Sequence, residues 1–173
     1  MPIIALILST ALFWVVYWFI RMGGIDHFQQ RKAERKEEAR KREAKQLART
    51  STLRAVDDPR DAAAILMLLV ARVHGDPTRE QIATIENFLR TEFGFETELT
   101  ERMTQARFIA RQADDFEQAA KVFAGLFKTR LTADECHRLV EMLEAVAREG
   151  GSSEHQIGAI TAFRPMIGLA VAA

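Results

Sequence analysis

The stretch Ile65–Ile85, ILMLLVARVHGDPTREQIATI, decides the fold because it has the pattern of two helices joined by a tight acidic elbow. Apolar residues recur at helical spacing before the elbow, and the same stripe resumes after it. Gly75 is the residue type that most easily takes the left-handed conformation that ends a helix. Asp76 and Pro77 then predict an N-cap and the first position of a new helix, because proline lacks the N–H that would be unpaired there.

The same pattern returns near the other end of the chain. Residues 70–85 contain Val-Ala-Arg, a Gly after two further residues, then Gln-Ile and a later Ile. Residues 146–160 repeat this order, with an elbow that is one residue shorter. We interpret the pair as an internal repeat of one helix–elbow–helix unit within a single helical domain. Such a repeat predicts that the two elbows are neighbours.

Residues 57–173 have helical patterns throughout, and no stretch alternates with period two for long enough to indicate a strand. The predicted fold class is therefore all-α, a compact bundle of about six helices with two related halves. Leu69 and Phe123 lie on apolar stripes and are expected to be fully buried. Capping boxes are predicted at Thr132 with Glu135 and at Ser153 with Gln156. The predicted helices are Pro59–Val73, Pro77–Phe93, Thr97–Gln112, Phe116–Thr129, Ala133–Glu149 and Glu154–Leu169.

Residues 1–22 have the properties of a transmembrane signal anchor. Pro2–Ile20 is uncharged, and as a helix it would be roughly 28 Å long, close to the hydrocarbon thickness of a bilayer. Trp14, Tyr17 and Trp18 crowd its C-terminal end, and Arg21 closes it. Positive charge follows the span instead of preceding it, which favours an uncleaved anchor over a signal peptide. The alternative is a buried core helix.

Residues 23–56 are predicted to form a basic, charged helical linker. Arg31–Arg49 holds nine Lys/Arg and four Glu, whereas residues 50–173 hold fourteen Lys/Arg and nineteen Asp/Glu. The linker is either a solvated spacer or a segment attracted to anionic lipid. By the positive-inside rule it predicts a single-pass protein of the bacterial inner membrane, with the C-terminal domain in the cytoplasm. The net negative charge of the domain argues against duplex nucleic acid as its ligand, so the expected partners are membrane lipid and a protein.

The sequence contains no nucleophile-elbow, Walker, GxGxxG or HExxH motif and no paired CxxC, so it predicts no enzyme. Cys136 is the single cysteine and is predicted to be a buried or half-buried free thiol. If the two elbows are neighbours, they bring together carboxylates and imidazoles that suit Mn, Zn or Fe(II). The alternative is that these residues only cap helices or favour first helical turns. The candidate metal ligands are His74, Asp76, Glu80, Glu149, Glu154 and His155.

The segment ILMLLVARVHGDPTREQIATIENFL resembles the first helical pair of the TerB-like family of tellurite-resistance domains, and the resemblance extends over roughly Pro59–Leu169. The resemblance implies an all-α fold with two related halves and acidic residues near the elbows that bind a divalent metal. Glu80 matches the family's acid at the start of the second helix. His74 stands where the family has an aspartate.

These observations favour a membrane-anchored, cytoplasmic helical module that binds or scaffolds a partner in envelope or metal and tellurite stress response. One alternative is a divalent-metal sensor or metal-dependent enzyme that uses the elbow carboxylates. Another is a purely structural membrane adaptor without a small ligand. A well-formed acidic cavity would favour the metal protein, and an exposed apolar groove would favour the binding module or the adaptor.

Overall fold

The computed structural model describes Lys41, Ala44 and residues 47–73 and 75–170, and this part of the chain is helical without any strand. The prediction of an all-α fold is confirmed for it. The proposed anchor at residues 1–22 and most of the linker lie outside the described residues. Within the described part, none of the helices combines the length and the apolar character that crossing a bilayer requires. The six named helices are α1 (Pro59–Ala71), α2 (Arg79–Thr91), α3 (Leu99–Gln112), α4 (Phe116–Arg130), α5 (Ala133–Glu149) and α6 (Glu154–Met166).

Helix α1 is the central element of the domain. Every residue from Ala62 to Ala71 is buried, so the helix is apolar on all sides. A helix with this character must be surrounded by others, and α1 packs against α2, α3, α4 and α5. Helix α5 also contacts α2 and α6, and α6 packs on α4. Residues 47–54 are helical as well and bury Leu53 in the same core.

Phenylalanine side chains fill the space between α4 and α6. The ring of Phe163 lies edge-on to Phe116 and Phe127, with centroids 5.9 and 6.0 Å apart. Phe123 continues the cluster at 6.3 Å from Phe127. Edge-to-face contacts of this kind add to the free energy of burying the rings. Phe123 and Leu69 are both buried, which confirms the prediction made for them.

Four of the six helix starts agree with the sequence, and two do not. Helix α3 begins at Leu99 instead of Thr97, and no side chain caps it. Thr132 with Glu135 and Ser153 with Gln156 form the predicted capping boxes. The prediction that Asp76 caps α2 and that Pro77 opens it is wrong. The N-cap is Thr78, which forms its own capping box with Gln81. The reciprocal box satisfies two backbone N–H groups, whereas an Asp-Pro start would satisfy fewer.

Helix ends also depart slightly from the prediction. Helix α1 ends at Ala71 instead of Val73, so Gly75, which has a positive φ of 126°, lies in the loop after the helix and does not end it as predicted. Helix α6 ends at Met166, directly after Pro165, instead of continuing to Leu169. Gly168 ends the helix, because it has a positive φ of 89° and the N–H groups of Gly168 and Leu169 donate to the carbonyls of Pro165 and Arg164.

Candidate functional site

The two elbows lie against each other. The side-chain amide of Gln81, at the start of α2, donates to the carbonyl of Val146 at 3.3 Å. The amide of Gln156, at the start of α6, donates to the carbonyl of Val70 at 2.8 Å. These two glutamines are the only buried polar residues in the described part, and they are 2% and 1% exposed. The predicted adjacency of the elbows is therefore confirmed.

Each glutamine amide makes contacts on two sides. The Gln81 Oε1 accepts from the N–H of Thr78 at 3.0 Å, and the Gln156 Oε1 accepts from the N–H of Ser153 at 3.0 Å. The carbonyls that receive the amide N–H groups belong to the last turns of α5 and α1, where helix carbonyls lack intrahelical partners. Each glutamine amide thus satisfies a backbone N–H at the start of its own helix and a backbone carbonyl at the end of another helix.

Five of the six predicted metal ligands lie on the surface of the domain. Asp76, Glu80, Glu149, Glu154 and His155 are all exposed, and His74 lies outside the described residues. No three His, Cys, Asp or Glu side chains within the described part lie close enough to hold one ion. Because His74 belongs to the candidate set, the ion site as a whole stays a prediction.

A basic cleft lies beside the α1–α2 elbow, with a volume of about 330 Å³. Its charged lining residues are Arg72, Arg107, Arg111 and Asp76. The Arg72 guanidinium donates to the Ala110 carbonyl at 2.9 Å and so ties the end of α1 to the last turn of α3. The rest of the lining is Leu68, Pro77, Ile82 and Ala110. Positive charge dominates the surroundings of Asp76, which disfavours a cation there.

A smaller cleft of about 210 Å³ occupies the equivalent place beside the α5–α6 elbow. Arg148 and Ile157 stand where the first cleft has Arg72 and Ile82. Here Glu144 is a lining residue, and it pairs with Arg164 at 2.8 Å. The second cleft therefore lacks the excess of positive charge, although an arginine and an isoleucine occupy equivalent positions beside both elbows.

An apolar groove of about 290 Å³ lies between residues 52–57, α1 and α3. Phe108 stands at its edge with 62% of its surface exposed. Only three large apolar residues within the described part are exposed, and the other two are Leu47 and Ile157. We call this surface the Phe108 groove. Its lining residues are Thr52, Ala55, Val56, Asp57, Asp61, Ile65, Gln105, Ala106, Phe108 and Ile109.

A charge network adjoins the Phe108 groove. Arg102 pairs with Asp61 at 2.6 Å and with Glu98 at 3.0 Å, and its guanidinium lies 5.1 Å from the centre of the Phe95 ring. Burial raises the pKa of the Asp61 carboxyl, while the Arg102 charge acts in the opposite direction. Arg60 lies over the same ring at 4.7 Å. The network fixes α3 against the start of α1 and so shapes one wall of the groove.

Sequence reasoning did not find the basic cleft or the Phe108 groove. One signal was available, because Phe108 does not belong to the buried stripe of α3, which consists of Leu99, Met103, Ala106, Ile109 and Ala110. An aromatic residue outside the apolar stripe of its helix is a candidate contact residue. The arginines at 107 and 111 share one face of α3, but their cleft requires side chains from α1 and from the first elbow.

No protein-family model, curated protein or solved structure matches this chain. The resemblance to TerB-like domains therefore stays a prediction from the residues quoted above.

Proposed function

We propose that this chain is a membrane-anchored helical module that binds a partner protein at the surface of the bacterial inner membrane. The anchor would be residues 1–22, and the domain would lie in the cytoplasm because basic residues follow the span. The resemblance to TerB-like domains supports a role in envelope or metal and tellurite stress response. A scaffold of this kind needs no catalytic residues of its own.

The observation that carries the binding role is the exposure of Phe108 above the Phe108 groove. An aromatic side chain that is 62% exposed leaves a large apolar area in water, and a partner that covers it gains the free energy of burial. Ala55, Val56 and Ile109 provide apolar lining beside it. Interfaces commonly concentrate their binding energy on an aromatic anchor in such a position.

The charges at the rim of the groove indicate the chemistry of the partner. Asp61 is already paired with Arg102, whereas Asp57 is exposed and makes no ion pair within the described part of the chain. An incoming segment with a lysine or arginine beside an apolar side chain would complement both the rim and the floor. We therefore assign the groove to a protein segment that carries an apolar residue flanked by basic ones.

Photocrosslinking in intact cells tests this assignment. A photoreactive phenylalanine analogue at position 108 should give one discrete adduct with a second protein. The same analogue at Lys121, an exposed position on α4, should give none. Asp57→Lys should reduce the adduct formed at position 108, because it reverses the charge at the rim. Asp134→Lys, an equal charge change at an exposed position on α5, should leave it unchanged.

Three results would contradict the proposal. The first is no adduct from position 108, and the second is equal yields from positions 108 and 121. The third is an adduct with twice the mass of the chain, because it would identify self-association instead of a different partner.

A further inference from the structure

The basic cleft beside the α1–α2 elbow concentrates positive charge in a domain that is otherwise acidic. Arg107 and Arg111 are one turn apart on α3, and Arg72 approaches from the end of α1. Like charges four residues apart on a helix destabilise it. Asp76 is the single carboxylate in the lining, so the cleft has a net positive charge.

The protein supplies little to balance the two α3 arginines. Arg107 lies 3.8 Å from Glu86, and this is a long ion pair between side chains that are 45% and 35% exposed. Arg111 makes no ion pair within the described part of the chain, although it is exposed on the last turn of α3. A surface ion pair such as that of Arg107 contributes little free energy. The guanidinium groups of Arg107 and Arg111 are therefore free to donate hydrogen bonds to an anion that enters the cleft.

The cleft is also partly preorganised. The Ala110 carbonyl holds Arg72 in place, so this guanidinium loses little freedom when a ligand binds. Leu68, Pro77 and Ile82 keep water from one side, which strengthens charge interactions inside the cleft. A guanidinium presents parallel N–H groups that match the oxygen spacing of a phosphate.

We infer that this cleft is an oxyanion site that binds a phosphate group through Arg72, Arg107 and Arg111. Two sources of phosphate fit this chemistry, a soluble phosphorylated molecule and a lipid headgroup, since both present the same anionic oxygens. The inference does not depend on the Phe108 groove, which lies on a different set of residues. The cleft at the second elbow is the internal comparison, because it keeps the equivalent arginine, Arg148, but lacks the α3 pair.

Titration of the full-length protein in detergent micelles with inorganic phosphate, at constant ionic strength, tests the inference. We expect saturable binding by calorimetry. Arg107→Gln and Arg111→Gln should each weaken it about fivefold, as loss of one charge-assisted hydrogen bond at a partly exposed site predicts. Arg148→Gln, in the second cleft, and Arg130→Gln, on the last turn of α4, should leave the affinity unchanged. Arg72 is not substituted in this experiment, because its loss would also remove the hydrogen bond to the Ala110 carbonyl.

A second arm separates the two sources of phosphate. Full-length protein in nanodiscs of phosphatidylcholine, with or without phosphatidic acid, is titrated with the same phosphate. If phosphatidic acid abolishes the titration in wild-type protein, the lipid headgroup occupies the cleft. If the titration persists in both nanodiscs, the ligand is soluble. Either result supports the site.

Absence of saturable phosphate binding in micelles would overturn the inference, and so would equal weakening by Arg130→Gln. Phe108→Ser should bind phosphate as the wild type does. Failure of the oxyanion site can therefore be told apart from failure of the protein-binding role.

Discussion

Gln81 and Gln156 occupy equivalent positions of the sequence repeat, and each donates its side-chain amide to the helix that precedes the other elbow. Gln156 reaches the carbonyl of Val70, and Gln81 reaches that of Val146, so the two contacts are reciprocal. A buried amide that lost its partner would leave unsatisfied polar atoms in the core. The exchange therefore fixes how the two helix–elbow–helix units pack.

Gly150 provides a direct test of this contact. A Cβ atom at position 150 would collide with the amide nitrogen of Gln81. We expect Gly150→Ala to lower the free energy of unfolding by about 1–3 kcal/mol, because the amide would be displaced from the Val146 carbonyl. In a Gln81→Ala background the same change should cost almost nothing. Urea unfolding in non-ionic detergent, followed by circular dichroism, compares the full-length wild type, the two single variants and the double variant in a double-mutant cycle.

Gly158 is the matched control for that change. It lies exposed on α6, and a Cβ atom there would meet nothing within 4 Å. Gly158→Ala should therefore stabilise the protein by about 0.5–1 kcal/mol, as replacement of a helical glycine usually does. Additive effects of Gly150→Ala and Gln81→Ala would show that the hydrogen bond from Gln81 to Val146 does not determine stability.

Phe123 should be among the most costly residues to truncate. It is 1% exposed and packs edge-on to Phe127 in the cluster between α4 and α6. Phe123→Ala should lower the free energy of unfolding by about 3–5 kcal/mol, which combines lost burial with the cavity left behind. Lys121→Ala, two residues away and exposed, should change it by less than about 0.5 kcal/mol. Similar unfolding curves for the two variants would show that the stripe of α4 is misassigned.

The helices were predictable because their signals are local. The bounds of α5, Ala133–Glu149, agree with the prediction, since Thr132 with Glu135 marks its start and a pair of glycines marks its end. The repeat around Gly75 and Gly151 also predicted that the elbows would be neighbours. Periodicity and capping depend on residues within one or two turns, so a single sequence contains them.

The start of α2 could not be chosen from local signals alone. Asp76-Pro77 and Thr78 with Gln81 are both recognised start patterns, and they overlap in the same elbow. The capping box of Thr78 with Gln81 forms because the Gln81 side chain also donates a hydrogen bond to the carbonyl of Val146, a residue 65 positions away. That contact depends on the packing of α2 against α5, which no window of the sequence reveals.

The two candidate sites were missed for a related reason. Each combines side chains from elements that are far apart in sequence, such as Arg72 with Arg111 in the basic cleft and Ile65 with Phe108 in the groove. Taken singly, the two arginines are ordinary surface charges and Ile65 is a member of an apolar stripe, so only Phe108 carried a local signal. Their convergence follows from the packing of α1 against α3, which is a tertiary property.

The proposed anchor predicts a definite topology. Ten basic residues lie from Arg21 to Arg49, directly after the apolar stretch, and they should retain the C-terminal side in the cytoplasm. Reporter fusions placed after Arg21 and after Ala173 should both show cytoplasmic activity. A periplasmic signal from either fusion would rule out this orientation.

Cys136 should report the opening of the domain. The residue is 3% exposed, and burial raises the pKa of its thiol, so the reactive thiolate is disfavoured in the folded protein. Labelling by a thiol reagent at pH 8 should be slow in buffer and rapid in urea, with a midpoint that coincides with the loss of helical circular dichroism. Phe123→Ala should accelerate labelling in buffer. Rapid labelling of wild-type protein without urea would contradict the burial of Cys136.

Asp58 should make stability depend on acid pH. Its carboxylate accepts from the Arg60 backbone at 2.9 Å and from the Arg60 side chain at 2.8 Å, and the side-chain hydrogen bond is the main reason that its pKa is lowered. Because the folded pKa lies below the unfolded one, the stabilisation is complete above about pH 4 and is lost as the pH falls through the folded pKa. Asp58→Asn should lower the free energy of unfolding by only about 0.5 kcal/mol at pH 7. Asn can still cap α1, and the ion pair that is lost involves a partly exposed Arg60. Urea unfolding at stepwise lower pH should show the two proteins converging below about pH 4. Asp57→Asn controls for the change of charge, because Asp57 makes no ion pair within the described part. If the difference in unfolding free energy between wild type and Asp58→Asn stayed constant down to acid pH, the carboxylate charge would not be the source of the stabilisation.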